Sequence, residues 1–256
     1  MEPFFNHKTI HFCNQIKESK LKLVQSSFDD LYLVIIACHL NSHIKFYTLT
    51  QNLKNLEHVN THFIIVYSKD QPFNDQLLVL NYKNCSLIEV DNDYFHDFSK
   101  WYNALKQINV EKYSHIIFTN DSFLIKEPIY YFYKFVSLSK KDLVAFSSSN
   151  EYIYHYQTYL FSIQSSKIQE FVSMFERFLS SPNSKQLLIK MEINLYYIYD
   201  SKTCFVDLGN LSINNKKNIF FHNPKLYQIL AKENVIPFVK LKMLDYNFKP
   251  IMNNII

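Results

Sequence analysis

Apolar positions along this chain fall into two kinds of run. Residues 31–38 (Leu-Tyr-Leu-Val-Ile-Ile-Ala-Cys) are continuously apolar and rich in β-forming side chains, which predicts a strand covered on both faces. Residues 42–56 instead place Ile44, Tyr47, Leu49, Leu53 and Leu56 roughly on one side of a helix. The alternation then repeats. It predicts a strand at 62–67, a short helix at 76–80 and a strand at 86–90. Next comes a helix opened by Asp97 as N-cap, with Phe98, Trp101, Leu105 and Ile108 at helical spacing, and then a strand beginning near His115. Parallel strands need crossover connections, usually helical, so the order predicts a doubly wound, mostly parallel α/β sheet flanked by helices.

The pattern changes beyond Asp142. Strands at 143–146 and 158–163 lie only a loop apart, which predicts antiparallel additions in the C-terminal half. Helices follow at 166–179, about 185–199 and 224–232, and residues 14–27 predict a helix ahead of the first strand. The expected organisation is an N-terminal helical extension, residues 1–29, followed by a single domain, residues 30–256.

The strand near His115 runs straight into Asn120-Asp121-Ser122. Ligands of open α/β sheets bind outside the carboxyl ends of the strands, where rigid backbone holds side chains towards solvent. Asp121 offers hard oxygen of the kind Mg²⁺ or Mn²⁺ prefers, and such an ion would neutralise a diphosphate. The plain alternative is a turn, because Asn, Asp and Ser bond their own backbone and end strands.

Composition narrows the chemistry. With 256 residues, 48% of them hydrophobic, the chain can bury a full core. Its only glycine, Gly209, excludes the dinucleotide fingerprint and the glycine-rich phosphate loop, so phosphate must be met by metal, basic side chains or helix ends. The net charge of +4 is scattered, which argues against a nucleic-acid partner, and the 19 Tyr and 23 Phe fall mostly in apolar segments that a core explains. Cys13, Cys38, Cys85 and Cys204 lack Cys-x-x-Cys spacing and read as free thiols of a reducing compartment. The longest apolar run is far shorter than a membrane span. A cytoplasmic protein is expected, with association at a membrane surface left open.

With this order in hand, residues 31–244 resemble GT-A-type (Rossmann-like) glycosyltransferases, and in the second half the rhamnan-synthesis F-type family of polysaccharide glycosyltransferases. Four segments carry the resemblance. Residues 31–41 look like the opening strand of a nucleotide-sugar domain. Residues 91–105 are similar to the family's Asn-x-Gly-Tyr-Asp-Phe-Gly-x-Trp segment, with both glycines replaced. Residues 115–128 resemble its apolar strand, Asn-Asp-Ser and following proline, and residues 154–161 its His-x-Gln-Ser-Tyr-Phe strand. A weaker match runs from His222-Asn223-Pro224 to Lys240.

The resemblance implies a transferase that moves a sugar from a nucleotide-diphosphate sugar to a saccharide or lipid-linked acceptor in surface-glycan synthesis. It puts Asn120, Asp121 and Ser122 at the Asp-x-Asp position, with His39, Asn41 and Asp97 as further donor contacts. Asp121 and His222 become metal ligands, Glu192 the catalytic base, and His155 and Gln157 acceptor contacts. One aspartate of the motif is missing, and a single carboxylate holds Mg²⁺ or Mn²⁺ only when the diphosphate supplies other ligands. Lys100, on the other face of the helix that Asp97 opens, is a candidate phosphate contact. Each residue has a bland reading too: Asp97 as helix cap, Glu192 near a helix start favouring the dipole, His222 as a loop histidine, and Lys100 as a solvated lysine. A glycosyltransferase-like binding or scaffold protein without catalysis is the second expectation. A single-stranded nucleic-acid binder stacking bases on its aromatics is the third.

Overall fold

The computed structural model describes residues 7–24, 30–58, 60–80, 82–91, 93, 95–179, 187–209 and 224–241. The continuously apolar run forms β1 (Tyr32–Cys38), with all seven residues buried. It lies at the centre because β2 (Thr61–Ser68) and β4 (His115–Asn120) both pair with it in parallel. Outside β2 lies β3 (Cys85–Val90), also parallel. On the other side of β4 the chain inserts β8 (Leu160–Gln164), antiparallel both to β4 and to β6 (Leu143–Ser149). β6 carries β7 (His155–Tyr156) and β9 (Lys202–Val206). The order β3-β2-β1-β4-β8-β6-β7, with β9 on β6, makes an eight-stranded sheet. It is mostly parallel, with antiparallel additions in the second half, as the alternation implied.

β1 is apolar at every position because successive side chains feed opposite cores. Tyr32, Val34, Ile36 and Cys38 pack with Leu49 of α2 (His43–Leu56) and Phe132 of α5 (Tyr130–Ser139). Leu33, Ile35 and Ala37 pack with Trp101 of α4 (His96–Leu105) and Phe171 of α6 (Ile168–Leu179). Each such side chain contributes about 1.5–3 kcal/mol on burial. The N-terminal helix α1 (His7–Val24) joins the first core through Cys13 and Ile16. Its Lys17 pairs with Glu233 at 2.5 Å, just past α8 (Pro224–Lys232), and its Lys20 with Glu127 at 3.0 Å. The four cysteines are free thiols.

Several elements carried no readable signal. α5 is an aromatic run without a stop residue, and it ends at Lys140 with φ 52°, a left-handed position usually given to glycine. β5 (Phe123–Ile125) and β10 (Phe238–Lys240) are three-residue strands that pair only with each other. The free edge of β5 is met by side chains of α2: Asn52 donates to the Phe123 carbonyl and accepts from Ile125 N–H, at 2.7 and 2.8 Å, while Asn55 donates to the Ile125 carbonyl at 2.7 Å. The buried asparagines hold in place the segment that follows Asp121.

Two expectations about α4 require correction. Asp97 is not its N-cap: the helix begins at His96, and Phe95 is the capping position. Asp93 holds the helix start, accepting Phe95 N–H at 2.9 Å and the Ser99 hydroxyl. Lys100, expected on a solvated face, is buried at 3% exposure. Among the described residues, no helix is long and apolar enough to cross a membrane.

Candidate functional site

Chain connectivity reverses direction in the sheet between β1 and β4: from β1 it proceeds outward to β2 and β3, then returns to the other side of β1. Such a switch point leaves a crevice at the carboxyl ends of the two strands. Two residues close it here. The ladder's last pair is Ala37 with Asn120, and Asp121 N–H extends it by one bond to the Ala37 carbonyl at 3.1 Å. The Asp121 carboxylate then accepts His39 N–H on Oδ2 at 2.6 Å and the Lys45 ammonium on Oδ1 at 3.2 Å.

Around this contact the side chains form one network. Asn120 donates to Asp97 Oδ2 at 2.9 Å and accepts Ser122 N–H at 3.0 Å and the Ser122 hydroxyl at 2.5 Å. Burial, and secondarily the nearby Asp121 charge, push the Asp97 carboxyl up to about 6. Burial likewise raises Asp121, against the pull of Lys45 and of the His39 N–H. His39 is held below the ordinary histidine range by burial and then by the positive charges of Lys45 and Lys100. Asn41 is exposed, its N–H bonded back to the His39 carbonyl at 2.8 Å.

A second group lies on α7 (Leu187–Ile198) and the approach to β8. Glu192 Oε1 accepts the Thr158 hydroxyl at 2.5 Å and, more weakly, its N–H at 3.4 Å. Nε2 of the buried His155 stands 4.0 Å from Glu192 Oε2. Its Nδ1 lies 2.8 Å from the Ile153 carbonyl, which can only accept, so Nδ1 carries the proton. Gln157 is buried, its amide oxygen taken by the Ser147 hydroxyl at 2.8 Å.

Sheet register relates the two groups. The antiparallel β4–β8 ladder ends at Thr119 opposite Leu160, so Asp121 and Thr158 each lie two residues past that pair, at the same rim. Glu192 and Asp121 share no direct contact among the described residues; they meet through that rim. A cleft of about 960 Å³ beside α6, lined by Gln169, Glu170, Ser173, Glu176 and Arg177, is elsewhere. It is lined by helix-surface side chains, none of them singled out in the sequence.

No protein-family model matches the sequence, and no curated protein matches it. Solved structures do. The apo structure of WbbM, a bifunctional glycosyltransferase, superposes with a TM-score of 0.53 at 12% identity, over 85% of this chain and 46% of that one. The chain thus spans about half the length of that protein. The fold is of the GT-A type. A 4-diphosphocytidyl-2C-methyl-D-erythritol synthase from Anaerococcus prevotii matches at TM-score 0.47 and 14% identity, over 77% of this chain and 96% of that one. The mannosyltransferase PcManGT from Pyrobaculum calidifontis, solved with GDP-Man and Mn²⁺, matches at 0.45 and 10%, over 78% and 66%.

Within this GT-A frame the structure gathers His39, Asp97, Asn120, Asp121 and Ser122 into one network, and His155 with Glu192 into another. His222 lies outside the described residues. Glu192 is the sixth residue of α7, not at its head, so the dipole reading does not apply to it.

Other residues went unrecognised in sequence. Lys45 and Thr158 are long-range partners with no local signature. Asp207, at the carboxyl end of β9, accepts the Ser148 hydroxyl at 2.6 Å and the Tyr154 hydroxyl at 3.1 Å. It follows a short apolar run just as Asp121 does, and the same rule of reading strand ends would have found it.

A divalent ion fits this donor set poorly. One oxygen of Asp121 accepts the Lys45 ammonium and the other the His39 N–H, so a cation there would compete with positive charge already in place. No three His, Cys, Asp or Glu side chains among the described residues cluster to hold a metal.

Proposed function

We propose that the protein is a glycosyltransferase that moves a sugar from a nucleotide-diphosphate sugar to a saccharide or lipid-linked acceptor. The order of its segments suggests the surface-glycan chemistry of the rhamnan-synthesis F-type enzymes. The observation that carries this reading is the His39 to Asp121 bridge, which sets a polar network at the switch point of a GT-A fold. Asn120, Asp121, Ser122 and Asp97, with the loop at His39 and Asn41, contact the donor.

Glu192 acts as base from the neighbouring side of the rim. It takes the proton of the acceptor hydroxyl as that oxygen bonds to the sugar C1 and the C1–phosphate bond breaks, releasing nucleoside diphosphate. Its side chain is 28% exposed, and Oε2 is not hydrogen bonded among the described residues. His155 and Gln157 flank the acceptor.

The test is release of nucleoside diphosphate from a panel of nucleotide sugars, by the wild type and by Asp121→Asn. The expected result is turnover of at least one donor, reduced about 100-fold or more in the variant while circular dichroism stays native. Donor binding without turnover by the wild type would overturn the enzymatic reading in favour of a binding or scaffold protein.

A further inference from the structure

Lys100 is an unusual residue for a structural role. It sits in α4 between Ser99, which bonds Asp93, and Trp101, whose indole N–H bonds the Thr119 carbonyl at 3.1 Å. Only 3% of the residue is exposed, yet among the described residues its ammonium makes no hydrogen bond and no contact ion pair. Its stem is buried, while the ammonium nitrogen is not among the fully enclosed polar atoms, so the charged tip keeps an opening to its surroundings. Lys100 lies three residues after Asp97 on the same side of α4, and Asp97 accepts from Asn120 at the end of β4 at 2.9 Å, so the lysine stands at the crevice between β1 and β4.

Lys45 flanks the same crevice from the first turn of α2, 3.2 Å from Asp121 Oδ1. That turn holds no acidic residue, and the Ser42 side chain makes no capping bond. The start of α2 and two lysines therefore face one rim, where a helix N-terminus favours an anion.

The bonds already made set the sign of the missing ligand: Asp121 accepts from His39 and Lys45 and Asp97 from Asn120, while Lys100 donates to no described residue. A divalent cation entering here would share Asp121 with Lys45 and the His39 N–H and sit beside two ammonium groups. A diphosphate displaces nothing from Lys100, whose three donors are unused. We infer that the donor diphosphate is held directly by Lys100 and Lys45, so that the site binds nucleotide diphosphates without a divalent ion. The inference rests on the proposed donor site and deepens it: Asp121 anchors Lys45 and the His39 loop, and the lysines supply the charge relief expected of a metal.

Isothermal titration of the full chain with ADP, CDP, GDP, UDP and dTDP, in excess EDTA and again in Mn²⁺ or Mg²⁺, tests it. At least one nucleotide binds in EDTA, with affinity within about threefold of that in metal. Lys100→Met weakens that binding about 10-fold or more and flattens its salt dependence. Should Lys100→Met fail to fold, Lys100→Gln, which keeps a polar head, is read instead. Binding only in metal, or binding in EDTA that neither Lys100 variant changes, overturns the inference and leaves the donor site standing. Binding of no nucleotide under either condition overturns the donor site itself.

Discussion

The His39 N–H and the Asp121 carboxylate, 2.6 Å apart, tie the end of β1 to the end of β4 where the sheet changes direction. Through this one bond, a loop expected at the nucleotide and a carboxylate expected at the diphosphate become parts of a single rigid rim. The Lys45 ammonium completes the arrangement from α2. Asp121→Ala leaves His39 N–H and Lys45 without their acceptor. The expected loss of stability is about 2–4 kcal/mol, measured by urea unfolding. A double-mutant cycle with Lys45→Met should recover about 1 kcal/mol or more of that loss as coupling. Strict additivity would mean that the pair is not coupled.

Asp97 gives a pH signature. Its folded-state carboxyl is raised to about 6 from an ordinary 3.8, by burial first and by Asp121 second, with Lys100, Lys45 and Asn120 opposing. A raised carboxyl binds its proton more tightly in the folded protein, so its contribution to stability is complete below about pH 3.8 and is lost as pH rises through about 6. Asp97→Asn should therefore stabilise the protein relative to wild type at pH 7.5 and lose that advantage by pH 4. Unfolding midpoints across this range provide the check. A gain independent of pH would place the effect outside the carboxyl's ionisation.

Glu192→Gln keeps the shape of the side chain and an acceptor for Thr158 but removes the base. The expected outcome is a kcat about 100-fold lower or more with little change in KM for the donor, because general-base catalysis contributes about that factor. Thr158→Val should lower kcat less, by loosening the orientation of Glu192. An unchanged kcat in Glu192→Gln would move the base elsewhere on the rim, with Asp207 the next carboxylate to replace.

Asn52 illustrates how far from the chemistry the rim is held. Its amide meets both a carbonyl and an N–H of β5, the strand immediately after Ser122. Asn52→Leu should cost about 2–4 kcal/mol in chemical denaturation, since two buried backbone groups lose their partner. Hydrogen exchange should accelerate at Ile125, whose N–H bonds to Asn52. A loss below about 0.5 kcal/mol would mean that β5 finds other partners.

Gly209 has a packing reason that its rarity in the sequence does not explain. A Cβ there would meet the Tyr154 ring at 2.7 Å and the Ser148 hydroxyl at 3.2 Å. Gly209→Ala should destabilise by about 1–3 kcal/mol. Because Tyr154 and Ser148 both bond Asp207, the damage should spread to that carboxylate. Restoration by the compensating Tyr154→Leu would identify the ring as the obstacle.

The sequence by itself determined the parts of this protein in which side-chain pattern and backbone geometry agree. β1 was legible because a central parallel strand is apolar on both faces. The β-α alternation up to Asn120 was legible because each crossover helix shows its own apolar side, and Asp121 because a polar cluster follows a buried strand. Tertiary structure alone decided what those side chains touch. Asp97 reads locally as a cap, but packing of α4 over the sheet turns it onto Asn120, 23 residues along the chain. Lys100 reads in sequence as either a phosphate contact or a solvated lysine, and only the packing of α4 over the sheet decided that it is buried beside Trp101. Lys45 and Asp121 are 76 residues apart, and Thr158 and Glu192 are 34 apart. Such contacts depend on where whole elements dock, a property of the summed packing of both cores, and no local period in the chain encodes them.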